Sequence, residues 1–255
     1  MLDLTEYQQI IDTAPFTLEI TQDAAGGRRP APSCCGSLDL RLGDCMEGMK
    51  TFPDSHFDLA IVDPPYGAGD TIFDTSKVVA NKTTKHAPKP WNNAVPDAAY
   101  WAELFRVSKH VIAWGGNYFS PHLPPSRGWI VWDKKYQGMH SFALAELAFS
   151  TFDRNAEMFS WRKPEAKEHP CQKPVALYRW LLDTCAKDGQ RILDTHLGSG
   201  SHAIAAHYAG VHLTAYEIDP DYFHAEKARI ARETSQTELF SPQNSVIKLP
   251  TASIH

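Results

Sequence analysis

The chain lacks any run of about 18 consecutive apolar residues, so no membrane-spanning helix is expected. Its first ten residues, MLDLTEYQQI, carry acids where a secretory signal needs a basic start and an apolar core, so export is not expected either. No Cys-x-x-Cys occurs, and the cysteine count is odd at 5: Cys34, Cys35, Cys45, Cys171 and Cys185. That pattern argues against a disulfide framework and for reduced cytoplasmic thiols. Histidines are plentiful at 12, and His196, His202, His207 and His212 fall close together. None forms His-x-x-x-His with a third ligand, so no metal site is expected. Internal repeats are absent as well.

What is present fits one domain with a sizeable core: 255 residues, 43% of them hydrophobic. The formal net charge of -5 argues mildly against broad adhesion to nucleic acid, but the charge is unevenly distributed. KVVANKTTKHAPKPWNN, residues 77–93, holds Lys77, Lys82, Lys85 and Lys89 and no acid. Residues 1–37 read as a peripheral N-terminal segment with a short helix near 6–12 and a Gly/Pro-rich linker. Residues 38–233 read as the folded domain, and 234–255 as a loose tail. Within the domain, short apolar runs alternate with helical stretches, which predicts a doubly wound α/β fold with a mostly parallel sheet. Strands around Gly128 to Phe152 add an antiparallel edge hairpin, while 153–168 is polar and mixed. The loop 67–96 is too long to be a mere connector.

The most informative segment is FDLAIVDPPYG, residues 57–67. Leu59 to Val62 form a short apolar run suited to a buried parallel strand. Asp63, Pro64, Pro65 and Tyr66 follow. Two prolines remove two backbone donors and fix two φ angles, leaving a rigid turn. A carboxylate, a bare carbonyl and an aromatic face held there could grip an exocyclic amine on a flat ring. A strand-ending turn would use the same residues without that purpose.

A second signal lies downstream. RILDTHLGSGSHAIAAHYAG, residues 191–210, reads as strand, glycine turn and helix. Gly198 and Gly200 allow a tight turn and close approach to a ligand. Glu217 ends the next strand, HLTAYE, where doubly wound folds place an acid on ribose hydroxyls.

Together these segments resemble the amino-group DNA methyltransferases that use S-adenosylmethionine. The glycine segment follows the Asp-Pro-Pro-Tyr segment, which is similar to the circularly permuted, beta-type arrangement. The resemblance covers roughly residues 38–232. WGGNYF, GWIVWDK and DTHLGSGS are similar to wording in small phage or prophage adenine methyltransferases. It implies a Rossmann-like sheet and a catalytic set of Asp63, Pro64, Pro65 and Tyr66. For the cofactor it implies Asp44, Cys45, Asp63, Lys173, Asp194, His196, Gly198, Ser199, Gly200, Ser201 and Glu217. In that set, Asp44 meets the adenine and Lys173, within HPCQKP, lies near the cofactor carboxylate. VIAWGGNYF would wall the target-base pocket. One departure stands out: the family usually has Asp-Pro-Phe before the glycines, and here the residues are Asp194-Thr195-His196.

The activity so implied is methylation of the N6 amine of adenine in double-stranded DNA after base flipping, as in restriction–modification systems or phages. Cytosine-N4 methylation uses similar amine geometry. A catalytically inactive DNA-binding module is a third reading, opposed by the retention of both sites. DNA contacts are expected from Lys77, Lys82, Lys85, Lys89, Trp91 and Asn117, with Tyr136 a further candidate. Trp101, Trp114, Trp129 and Trp132 are read as core. The stretch where the family order places target recognition, 153–168, is short. Specificity then rests on the 67–96 loop, is relaxed, or needs a homodimer. Finally, Gln236-Thr237-Glu238-Leu239-Phe240 resembles the peptide by which many bacterial DNA enzymes bind the replicative sliding clamp; the alternative is that Leu239 and Phe240 pack on the protein itself.

Overall fold

The computed structural model describes residues 16–19, 36–67, 95–135, 143–162 and 172–235. The expected short helix near 6–12, most of the 67–96 loop, Tyr136, Cys34, Cys35, Cys171 and the Gln236–Phe240 peptide lie outside them.

The described residues form one nine-stranded sheet with helices on both faces. In chain order the strands are β1 (Phe16–Glu19), β2 (Ser37–Leu42), β3 (Leu59–Val62), β4 (Val111–Trp114), β5 (Ile130–Asp133), β6 (Ala145–Ser150), β7 (Glu157–Ser160), β8 (Arg191–Asp194) and β9 (His212–Glu217). The helices are α1 (Cys45–Lys50), α2 (Ala98–Val107), α3 (Val175–Cys185), α4 (Ser201–Ala209) and α5 (Pro220–Ser235). The spatial order is β1-β2-β9-β8-β3-β4-β6-β5-β7. β2, β9, β8, β3 and β4 are mutually parallel; β1 and β6 run against their neighbours.

The central strands read as apolar runs because both of their faces are covered. All four residues of β3 and of β4 are buried. Alternation sorts them: Leu59, Ile61, Ile112 and Trp114 face the layer of α3, α4 and α5. Ala60, Val62, Val111 and Ala113 face α1 and α2 through Met49, Trp101 and Leu104. Burying one such large side chain contributes about 1.5–3 kcal/mol, so the two clusters carry most of the fold's stability. Trp101, Trp114 and Trp132 are fully buried, as expected of core tryptophans, whereas Trp129 is half-buried.

Helix starts follow local chemistry. The Asp97 side chain caps α2 by accepting from Tyr100 N at 3.0 Å. Asp44 caps α1 by accepting from Met46 N at 2.8 Å. Pro174 sits at the N-cap of α3 with φ -67.

Three features differ from the sequence expectation. Phe16–Glu19, within the segment read as peripheral, pairs antiparallel with β2 along the sheet's outer edge. The α5 helix runs to Ser235, two residues into the segment read as tail. Glu157–Ser160, in the stretch read as polar and mixed, is strand β7 and pairs parallel with β5. The β5–β6 hairpin therefore does not end the sheet: β6 sits inside it, between β4 and β5, and β7 forms the edge.

Candidate active site

The crossover from β3 through α2 leads to β4 on one side, and that from β8 through α4 leads to β9 on the other. β3 and β8 are adjacent and parallel, with Leu59 opposite Ile192 and Ala60 opposite Leu193. The chain thus reverses its direction of winding between them, and ligands in open α/β sheets bind outside the carboxyl ends of strands at such a point. Asp63 follows β3 at this edge, and Asp194 ends β8.

The Asp63–Tyr66 turn is held from several directions. Tyr66 Oη donates to Asp63 Oδ1 at 2.5 Å. The Lys173 ammonium donates to Asp63 Oδ2 and, at 3.2 Å, to Tyr66 Oη. The Tyr66 ring stacks on Tyr118 with centroids 5.0 Å apart and 14° between planes, and meets the edge of Phe119. Gly115, at the end of β4, has φ +72, and a Cβ there would collide with Tyr66 Cε1. This close approach and left-handed backbone explain the first glycine of the WGGNYF segment.

Lys173 is almost wholly buried. Besides Asp63 it has Glu146 Oε2 at 3.2 Å, and Glu146 Oε1 is bound by Lys134 Nζ at 2.6 Å. The chain of charges thus runs Asp63, Lys173, Glu146, Lys134 across β3, the start of α3, β6 and the end of β5. Burial pushes the Asp63 carboxyl above its ordinary range; Lys173 opposes this, and the nearby Glu146 adds to it. Burial also works against ionised Glu146, but Lys173 and Lys134 prevail and hold its carboxyl at about 2. For Lys173, burial favours the neutral amine, yet Asp63 and Glu146 outweigh it and keep the ammonium charged. The resemblance implied a place for Lys173 near a cofactor carboxylate; in the structure its ammonium is engaged by these two acids. Glu146 was not foreseen. Its one signal is an acid in the middle of the apolar segment FALAELAF.

On the other side of the switch point, the remaining candidates form a cradle. Glu217 Oε2 accepts from Gly198 N at 3.1 Å and Oε1 from Asp219 N at 2.9 Å. Burial raises its carboxyl, and these two N–H groups counter the rise. Each oxygen retains capacity for a further donor. The next residue, Ile218, is 57% exposed although apolar, and so offers a dry face beside the carboxylate. Gly200, with φ +75, opens α4, and a Cβ there would press on Ile230 and Glu226. Ser199 Oγ and Ser201 Oγ lie 3.1 Å apart, and Arg229 Nη1 binds the Ser199 carbonyl and Ser201 Oγ. The Ser199 carbonyl and the Ser201 hydroxyl therefore tie the turn to α5. Asp44 is exposed at the end of β2, and burial together with Asp44 pushes the Cys45 thiol up to about 12, so it is no nucleophile.

The Asp194-Thr195-His196 departure has a physical account. Asp194 Oδ1 accepts from His196 N, and its Oδ2 bonds His202 Nδ1 at 2.8 Å. His202 stacks on Tyr178, with 4.7 Å between centroids. Thr195 Oγ1 links Tyr100 Oη at 2.7 Å to His196 Nδ1 at 2.9 Å. Burial lowers the His196 imidazole to about 4, with Asp194 and Asp44 opposing. At neutral pH His196 is an uncharged flat ring. His202 is thus a packed core histidine. The described residues contain no cluster of three potential metal ligands.

Of the expected DNA contacts, Asn117 is exposed in the turn Gly116–Tyr118, beside Tyr118 and the Tyr66 ring it stacks on. Lys77, Lys82, Lys85, Lys89 and Trp91 lie outside the described residues.

Residues 131–228 match a family model described as DNA methylase. A curated relative, a putative methylase YubD of Escherichia coli (strain K12), is 24% identical over 205 residues, covering 74% of this chain and 88% of that protein. Over these spans the chain is similar to DNA methylases. A putative DNA modification methylase of Thermus thermophilus, solved in complex with S-adenosyl-L-methionine, superposes with a TM-score of 0.51 at 18% identity, covering 78% of this chain and 95% of that one. The cytosine-N4-specific PvuII DNA methyltransferase gives 0.53 at 11% identity, covering 77% of this chain and 90% of its own. These likenesses establish the fold. No described helix is long and apolar enough to cross a membrane.

Proposed function

We propose that this chain transfers a methyl group from S-adenosylmethionine to the exocyclic N6 amine of adenine in DNA. The observation that carries the reading is the adjacency, at the switch point, of the Asp63–Tyr66 turn and the Gly198–Glu217 cradle. The cradle suits the cofactor chemically. Glu217 has lone pairs for ribose hydroxyls, Ile218 and the neutral His196 offer apolar and aromatic surface, and Asp44 offers an acceptor at the open edge. When bound there, the cofactor supplies an activated sulfonium methyl, so no metal is called for.

The chain's own residues then have a limited task. An exocyclic amine is a poor nucleophile because its lone pair is delocalised into the ring. Asp63 and the Pro64 carbonyl accept its two N–H bonds and draw the nitrogen towards tetrahedral geometry. Positioning and electrostatics account for most of such an acceleration. The base must leave the duplex to reach this depth, and Tyr66 and the neighbouring Tyr118 provide the aromatic surface for it. The 67–96 lysines are placed by sequence to meet phosphates.

Adenine is favoured by the resemblance, since Ser in place of Asp63 is commoner in cytosine-N4 enzymes. The likeness to a cytosine-N4-specific fold keeps that second reading alive. Incubation with methyl-labelled cofactor and DNA from a methylation-free host, followed by digestion and mass spectrometry, distinguishes N6-methyladenine from N4-methylcytosine. Label in N4-methylcytosine alone would overturn the adenine assignment. Sequencing the modified DNA gives the recognition site.

A further inference from the structure

Both oxygens of Asp63 are already engaged in the protein without substrate. Oδ1 takes the Tyr66 hydroxyl and Oδ2 the Lys173 ammonium. An ammonium is a far stronger donor than an aryl amine, because charge-assisted hydrogen bonds are about twice as strong as neutral ones. If Lys173 stayed in place, the carboxylate would be largely neutralised when the target amine arrived. The structure provides somewhere for the ammonium to go. Glu146 Oε2 lies 3.2 Å from Lys173 Nζ, is buried, and has no other partner. Its other oxygen is pinned by Lys134 at 2.6 Å, so the one facing Lys173 is held in position. Lys173 precedes the Pro174 N-cap of α3, and its ammonium lies 5.4 Å from the Trp114 ring centroid and 5.8 Å from that of Tyr66. With the backbone fixed and these rings alongside, a small movement of the ammonium exchanges one acid for the other.

We propose that Glu146 is a positioning residue that takes over the Lys173 ammonium when the target amine takes Asp63. This rests on the methyltransferase reading. Glu146 does not touch the substrate; it acts through Lys173 by freeing the catalytic carboxylate. The titratable groups around the exchange are Tyr66, Glu146 and Lys134, with Tyr178 from α3 and Tyr100 from α2.

Glu146→Gln tests this, because it keeps the shape and removes the second acid. Asp63 is then the one carboxylate left to Lys173. Two readouts follow. The turnover number should fall tenfold or more while the cofactor Kd, measured by calorimetry, stays within twofold. In the protein alone, carbon-13 NMR titration of the Asp63 carboxyl, assigned with Asp63→Asn, should move to lower pH, since a like charge has gone and the cation is no longer shared with a second acid. An unmoved Asp63 titration, or a turnover number within twofold of wild type, overturns the proposal. If the Gln variant does not fold, Lys134→Met answers the same question with opposite sign. Glu146 then draws harder on Lys173, and the Asp63 titration should move to higher pH; no movement overturns the proposal. Absence of methyl transfer by the wild-type chain on any DNA sinks the methyltransferase reading itself, and this proposal with it, whereas an active wild type with an unresponsive Asp63 sinks the proposal alone.

Discussion

Tyr66 donates its hydroxyl to Oδ1 of Asp63, three residues earlier, at 2.5 Å across the double-proline turn. The two prolines make that span rigid, so the aromatic ring and the carboxylate are set relative to each other before any ligand arrives. This is the preorganisation that positioning catalysis requires.

Asp63→Ala should abolish methyl transfer and spare cofactor binding, because the carboxylate acts on the amine. It also removes one of two acids from the buried Lys173, so the melting temperature should fall as well. A tritium-methyl assay with calorimetry decides. Residual activity within about tenfold of wild type, an effect of only ~1.4 kcal/mol, would remove Asp63 from the catalytic set.

Gly115→Ala should displace the Tyr66 ring. The left-handed backbone alone costs an alanine about 1–2 kcal/mol, and the added Cβ collides with Tyr66. A melting-temperature drop of roughly 2–8 °C is expected for a chain of this size, together with a fall in turnover number larger than the stability change explains. An alanine variant of unchanged activity would show that Tyr66 need not lie against β4.

His196 should make the protein acid-sensitive. Its folded pKa, about 4, lies below the ordinary 6.5, mainly through burial. Between these values the unfolded chain binds a proton that the folded one does not. The stabilisation is therefore complete above pH 6.5 and lost as pH falls towards 4. His196→Phe should flatten this part of the profile in urea denaturation at pH 7 and pH 5. If wild type and variant lose equal stability between those pH values, His196 is not the source.

Alanine at Lys82, Lys85 and Lys89 should weaken DNA binding and make it less sensitive to salt. Each lost phosphate contact lowers the log–log slope by about 0.9. A slope equal to that of wild type would make these lysines ordinary solvated surface.

How much was legible beforehand depended on whether a signal was contiguous. Asp63 to Tyr66 is four consecutive residues with an unusual chemistry, and Gly198, Gly200 and Glu217 sit at a spacing set by one strand–helix–strand unit. Their chemistry and their supporting strands could be read together. β4 and α2 carry equally local signals, since burial on both faces gives an unbroken apolar run and a helix core gives a 3.6-residue period. β7 was not legible. Glu157 to Ser160 has no β-branched residue, and its exposed Met158 departs from an inward-apolar, outward-polar rule. Its strand character comes from pairing with β5.

The sequence by itself determined the chemistry at the ends of β3, β8 and β9, because each group lies within a few residues of the strand that carries it. Only the tertiary structure decided what surrounds that chemistry. Lys173 reaches Asp63 across 110 positions in the chain. Glu146 reaches Lys173 because β6 is inserted antiparallel between β4 and β5, which brings a strand's start, rather than its end, to the edge where Asp63 lies. Tyr118 covers Tyr66 because the left-handed Gly115 turns the chain back over the site after β4. Sheet order and strand direction are set by the summed burial of both faces, to which every strand contributes, so no local window contains them.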